Sequence, residues 1–177
     1  MKVLVLTTGR TGSMSLFRAC QHIKNYTIGH DSKAGLLAAE RTMVADQHIE
    51  IDTRFAWMLG RLALLDKGDV HYVHLTRATE DIAQSYNLRW ANRKGIMRGY
   101  CEGILERDKA PGDLAIARDL VETTEDNIKA FLVGRPHSTL RLETIGNDLA
   151  ALFDEIRADV QAEDAMAEFR KRHNHSR

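Results

Sequence analysis

The sequence reads as an α/β protein of three layers, with a mostly parallel central sheet of about five strands and helices on both faces. Three observations predict this. Five short segments rich in β-forming residues recur along the chain, and helix-period patterns fill the gaps between them. The two kinds of segment alternate, as they do where a parallel sheet is covered on both sides. The 177 residues suffice for one such domain and are too few for two.

The strands are KVLVLT (2–7), NYTIGH (25–30), HIEIDT (48–53), VHYVHLT (70–76) and STLRLE (138–143). After the first, Ser13 is placed to cap a helix whose Leu16, Ala19, Cys20 and Ile23 face inward. FAWMLGRLALL (55–65) is apolar nearly all round, which predicts a single buried helix. Ile82, Tyr86 and Trp90 share a helix face that Arg89 and Arg93 interrupt. Leu114, Ala117, Val121, Thr124, Ile128 and Phe131 keep a three-four spacing until Gly134 and Pro136 stop it. Leu149, Leu152, Phe153, Ile156 and Val160 mark another helix. Residues 94–113 contain Gly95, Gly99, Gly103 and Pro111-Gly112, and read as a loop-rich mobile lid on the single domain 1–177.

Lys+Arg and Asp+Glu both number 25, so no overall field draws the protein to nucleic acid or an acidic membrane. No apolar run approaches a membrane span. Cys20 and Cys101 fit neither a metal nor a redox spacing, which points to a reducing, cytoplasmic setting. A strand starting at Lys2 leaves no room for a signal peptide. The charge is uneven only at 170–177, RKRHNHSR, a basic tail whose two histidines, His173 and His175, are too loosely placed to argue for metal.

The chemistry concentrates in TTGRTGS (7–13), at the carboxyl end of the first strand, where open parallel sheets bind ligands. Gly9 and Gly12 let the backbone approach an anion closely, and successive N–H groups at the helix start point at it. Against the triphosphate pattern G-x-x-x-x-G-K-[ST], aligned on Gly12, Thr7 replaces the first glycine, Ser13 the lysine and Met14 the magnesium-binding hydroxyl. A triphosphate with its metal is a poor fit. One 5′-phosphate group, neutralised by Arg10 and backbone donors, fits better; the plain alternative is a strand–turn–helix with a solvated arginine. VHLTRATEDIAQSY (73–86) supplies a second cation, Arg77, just past the fourth strand, with Ser85 eight residues on along the next helix.

Together, TTGRTGSMSL and LTRATEDIAQSY resemble the two nucleotide-binding signatures of sulfotransferases, enzymes that use 3′-phosphoadenosine 5′-phosphosulfate (PAPS). STLRLETI (138–145) is similar to a late strand of the same family, so the resemblance spans residues 5–145. It implies a P-loop-like nucleotide-binding topology and a 5′-phosphosulfate held by Thr8, Gly9, Arg10, Thr11, Gly12, Ser13 and Met14. It also implies a 3′-phosphate held by Arg77 and Ser85. The family's aromatic after the loop glycine is missing, with Ser15 near that place, and the chain is short, which suggests a trimmed acceptor side. The implied partner is a small molecule or glycan with a hydroxyl or amine; no metal is demanded, because PAPS carries no triphosphate to shield.

Sulfuryl transfer needs a cation where charge builds on the leaving phosphate, a role for Arg10. It also needs a base for the acceptor proton. His30, ending the second strand in IGHDS, carries an imidazole suited to that task, and Asp31 either orients it or replaces it. Glu50 and Asp52 face one side of the third strand, as the border of an acceptor pocket or as strand-end and cap residues. Arg54 reads as an ion-pair partner or as a reader of an acidic acceptor. Arg170, Lys171 or Arg172 either closes over the nucleotide or belongs to a solvated tail. A silent nucleotide-binding module and a small-molecule kinase are the competing functions.

Overall fold

The computed structural model describes residues 1–64, 69–92, 95–108 and 112–171. Five strands form one sheet: β1 (Lys2–Leu6), β2 (Thr27–His30), β3 (His48–Ile51), β4 (Val70–Thr76) and β5 (His137–Arg141). Their order is β2-β3-β1-β4-β5 and every pairing is parallel, where the sequence predicted a mostly parallel sheet. Each strand lies within about two residues of its expected place. β1 is central and buried on both faces, as its unbroken Val-Leu-Val-Leu run requires.

Alternation along β1 builds two cores. Val3 and Val5 point to the side covered by α1 (Ser13–Cys20), α6 (Ile145–Glu155) and α7 (Ala162–Arg170). Leu4 and Leu6 point to the other side, against Phe55, Leu62 and the C-terminal half of α5 (Leu114–Leu132). A third cluster joins α3 (Thr79–Asn87), the N-terminal half of α5 and residues 96–101. Ile82, Tyr86 and Trp90 are all buried there, so Arg89 did not spoil that face; Arg93 lies outside the described residues. The chain runs from β1 out to β2, back to β3, then across to β4 on the far side of β1. The connections therefore diverge around the carboxyl end of β1, where crevices form in such sheets.

Two expectations needed correction. FAWMLGRLALL does not form one buried helix: Thr53–Trp57 is a tight 3₁₀ turn, Met58 leaves helical geometry (φ −127°, ψ 22°), and α2 is only Leu59–Ala63. Asp52 causes the break, because its side chain accepts the Arg54 N–H at 2.8 Å and winds the chain tightly before an α-helix can start. Trp57 and Leu64 consequently reach solvent. Within the 94–113 stretch, residues 96–104 are helical where the sequence suggested loop: α4 (Ile96–Arg98) runs into a π-helical turn at Gly99–Ile104, and residues 105–108 and 112–113 lie outside any helix. Met97, Tyr100 and Cys101 recur at helical spacing and are buried against α3 and α5, which outweighs the glycines. Residues 94 and 109–111 of that stretch lie outside the described residues. Among the described residues, no helix is long and apolar enough to cross a membrane.

Candidate active site

The loop between β1 and α1 is held open by its backbone. Gly9 (φ 83°), Arg10 (φ 62°) and Gly12 (φ 91°) are all left-handed, and the arginine bears the strain that glycine avoids. Thr7 and Thr11 are fully buried and turn inward to each other at 2.5 Å, and Thr7 Oγ1 also accepts the Gly9 N–H at 3.2 Å. Thr11 thus turns its hydroxyl into the fold and does not line the cavity beside the loop. Gly12 starts α1, whose first N–H groups find no side-chain cap among the described residues. Ser13 is the first helical residue and not the predicted cap. A phosphate or sulfate at this end completes those donors. Met14, half-buried on α1, can offer its N–H only.

Tyr86 locks the loop from α3. Its hydroxyl donates to the Thr8 carbonyl, and a Cβ on Gly9 would lie 2.3 Å from that oxygen. Burial pushes the Tyr86 phenol up to about 12, against the opposing pull of Arg10, Arg89 and Arg54. Gly9→Ala therefore meets both a left-handed backbone and an occupied space. The expected cost is about 2 kcal/mol or more in chemical denaturation. Tyr86→Phe removes the clashing oxygen, so the double variant should lose less than the sum of the single losses. Strict additivity would mean that the two residues do not meet.

Arg10 is the centre of the cationic wall. Its Nε donates to Ser85 Oγ at 2.9 Å, across 75 residues of sequence. Burial holds the guanidinium below its ordinary value, and the neighbouring cations Arg89 and Arg77 push the same way. An anion relieves this crowding. Arg77 itself reaches Asp81 Oδ2 at 3.0 Å, one helical turn on, and not Ser85. The structure joins Ser85 to Arg10, where the sequence suggested a guanidinium leaning back from Arg77.

Thr8, Gly9, Arg10, Ser13, His30 and Asp31 share one cavity of about 320 Å³ with Thr53, Arg54, Trp57, Tyr86, Arg89 and residues 95–97. His30 Nε2 lies 3.3 Å from Ser13 Oγ, so the imidazole faces the loop as its place at the end of β2 implied. Its Nδ1 is 3.8 Å from Asp31 Oδ2, and Asp31 sits at φ 52°. Arg54 grips that carboxylate at 3.1 Å, so Arg54 is an ion-pair partner that also lines the cavity.

Glu50 and Asp52 do not border the cavity. Both are fully buried. Asp52 pairs with the buried Arg41 at 2.5 Å and caps the turn that carries Arg54. Glu50 accepts from the Ser32 backbone at 2.9 Å and hydroxyl at 2.5 Å and pairs with His48 at 2.9 Å, which anchors the turn after Asp31. Burial works to raise the Glu50 carboxyl, but the bonds from His48 and Ser32 outweigh it and hold it below its usual range. A depressed carboxyl stabilises the fold above its unfolded value and loses that contribution as pH falls through the native value. Glu50→Gln should therefore flatten the acid side of a stability–pH profile measured by denaturant titration. An unchanged slope there would remove Glu50 from the acid response.

Lys171 does not reach the loop. It pairs with Glu168, which lies 3.8 Å from His22 just past the C-terminal end of α1, the end away from the 7–13 loop. Arg170 ends α7 and is exposed; Arg172, His173 and His175 lie outside the described residues. Sequence reasoning missed Tyr86, Arg89 and Trp57 as site residues. Arg89 had left a trace, as the charge that broke an apolar stripe. Neither models of known protein families nor curated protein sequences match this chain.

Proposed function

We propose that the protein is a PAPS-dependent sulfotransferase with a P-loop-like nucleotide site, moving a sulfuryl group to a hydroxyl or amine of a small molecule or glycan. The observation that carries the reading is the Arg10–Ser85 contact. It unites at one point the two sequence segments that resemble the family's phosphate signatures.

On this reading the phosphosulfate lies against the uncapped start of α1 and Arg10. The acceptor oxygen attacks sulfur in line, its proton passes to His30, and the sulfur–oxygen bond to the leaving phosphate breaks. The negative charge left on that phosphate meets Arg10 and the helix N–H groups. The 3′-phosphate draws Arg77 from its half-exposed Asp81 partner and adds the Ser85 hydroxyl. Exchange of one exposed carboxylate for a phosphate costs little, because such surface pairs are worth only about 0–1 kcal/mol.

Calorimetry with 3′-phosphoadenosine 5′-phosphate (PAP) and AMP tests the nucleotide assignment. PAP should bind far more tightly, and Arg77→Ala should weaken it by about tenfold or more. Equal affinity for the two nucleotides would remove the basis of the reading. Transfer of labelled sulfate from PAPS separates an enzyme from a silent nucleotide-binding module.

A further inference from the structure

We infer that Arg54 is a positioning residue for the base. At rest it holds the Asp31 carboxylate away from His30, and Asp31 closes onto the imidazole Nδ1 once Nε2 has taken the acceptor's proton. This role rests on the sulfotransferase reading and assigns a proton path inside the same cavity.

The carboxylate stands between two partners and is fully committed to neither. Asp31 Oδ1 is 3.1 Å from Arg54 Nη1, yet that buried oxygen makes no hydrogen bond among the described residues. Oδ2 is 3.8 Å from His30 Nδ1, about 1 Å beyond bonding distance. The backbone on either side is fixed, so a change of partner falls to the side chain. The Asp31 N–H donates to the Ile51 carbonyl at 3.0 Å, and Glu50 accepts the Ser32 N–H at 2.9 Å. Arg54 leans on a second carboxylate: its N–H donates to Asp52 Oδ1 at 2.8 Å, and its Nη1 lies 3.9 Å from the same oxygen. It can therefore release Asp31 and still face a negative charge.

Charge decides when the exchange occurs. For Nε2 to accept a proton, the hydrogen of the neutral ring must sit on Nδ1, the nitrogen beside Asp31. While the imidazole is neutral, the permanently charged guanidinium is the stronger partner. When the acceptor oxygen bonds to sulfur and its proton passes to Nε2, the ring becomes a cation. A carboxylate drawn onto Nδ1–H stabilises that imidazolium. No second proton moves, and the leaving phosphate keeps the electron pair of the broken sulfur–oxygen bond. Of α1, Ser13 and Phe17 touch the ring and are uncharged, with Arg18 over Phe17. Arg10 and Arg89 line the cavity, while Glu50 and Asp52 on the β3 side pair with His48 and Arg41. The Tyr86 phenol, pushed up to about 12, stays neutral near pH 7. All of these groups are common to the variants below, so differences among them report Arg54 and Asp31.

The test reads His30 first by NMR titration of the full chain labelled with ¹³C-histidine, then by the acid limb of single-turnover transfer from PAPS. The chain has eight histidines, so His30 is assigned by the signal that His30→Ala removes. Arg54 is half exposed, which leaves the core intact in its variants. Arg54→Met leaves Asp31 alone beside the ring and should raise the His30 midpoint by about one pH unit or more. Asp31→Asn leaves the guanidinium uncompensated and should lower it, and the double variant should return close to the parent. Arg54→Lys keeps the charge and should also stay close to the parent. The acid limb of the rate should move with the midpoint in each case. A midpoint unmoved by Arg54→Met, shifts of the same sign for Arg54→Met and Asp31→Asn, or a lysine variant that behaves as methionine does would overturn the inference and leave the sulfotransferase reading standing. So would midpoints that move while the acid limb stays. Failure of PAP to bind the parent in calorimetry would sink the underlying reading, and this role with it, whatever the titrations show.

Discussion

Asp52→Ala should destabilise the protein by about 3–5 kcal/mol, because it strands a buried arginine. Asp52 is fully buried and Arg41 is 3% exposed, and they meet at 2.5 Å. Burying both charges costs heavily, and their mutual attraction with good geometry offsets that cost only while both are present. Arg41 also stacks over Phe55, with its guanidinium carbon 5.4 Å from the ring centroid, so it cannot swing to solvent without opening the core beneath β3. The same substitution removes the acceptor for the Arg54 N–H and loosens the turn that carries Arg54 and Trp57. Asp52→Asn keeps one hydrogen-bond acceptor for the turn and should lose less than alanine does. Equilibrium denaturation of both variants provides the check. A loss under about 1 kcal/mol for alanine would mean that Arg41 finds water or another partner.

On the proposed sulfotransferase reading, His30→Ala should lower the rate of sulfuryl transfer by about 10²–10⁴ while PAP affinity stays near that of the parent. The imidazole is held between the Phe17 ring, 5.5 Å away, and Ser13, with its Nε2 turned to the loop. On that reading it is placed to accept a proton from an oxygen approaching the sulfuryl group. Asp31 is the alternative base; its Oδ1 lies 3.1 Å from Arg54 Nη1 without a hydrogen bond among the described residues. Single-turnover kinetics with PAPS in excess isolates the chemical step. A His30→Ala enzyme of normal rate would pass the role to Asp31. A fall in rate matched by a fall in PAP affinity would make His30 part of the nucleotide site instead.

Local pattern alone determined much of this protein. The five strands, their parallel arrangement and the helices 13–20 and 114–132 follow from apolar periodicity and from the stops at Gly134 and Pro136, all of which act over a few residues; the pattern at 149–160 overran α6, which ends at Glu155, and gave no sign of α7. The loop at 7–13 was legible for the same reason: glycine spacing beside a strand end is a local signal. So were His30 and Asp31, whose place at the end of a strand puts them on the ligand edge of any parallel sheet.

What only the tertiary structure decided are the choices that depend on distant partners. Ser85 could have met Arg77, eight residues away, or Arg10, 75 residues away. The packing of α3 against the β1 loop, locked by Tyr86 on the Thr8 carbonyl, selects Arg10. Glu50 and Asp52 share a face in sequence, but only the folded chain supplies Ser32, His48 and Arg41 to bury them, which takes them out of the cavity. Trp57 looked like core until the Asp52 cap shortened its helix and turned it to the rim. A charged or aromatic side chain goes where its partner is, and the partner's position is a property of the whole fold.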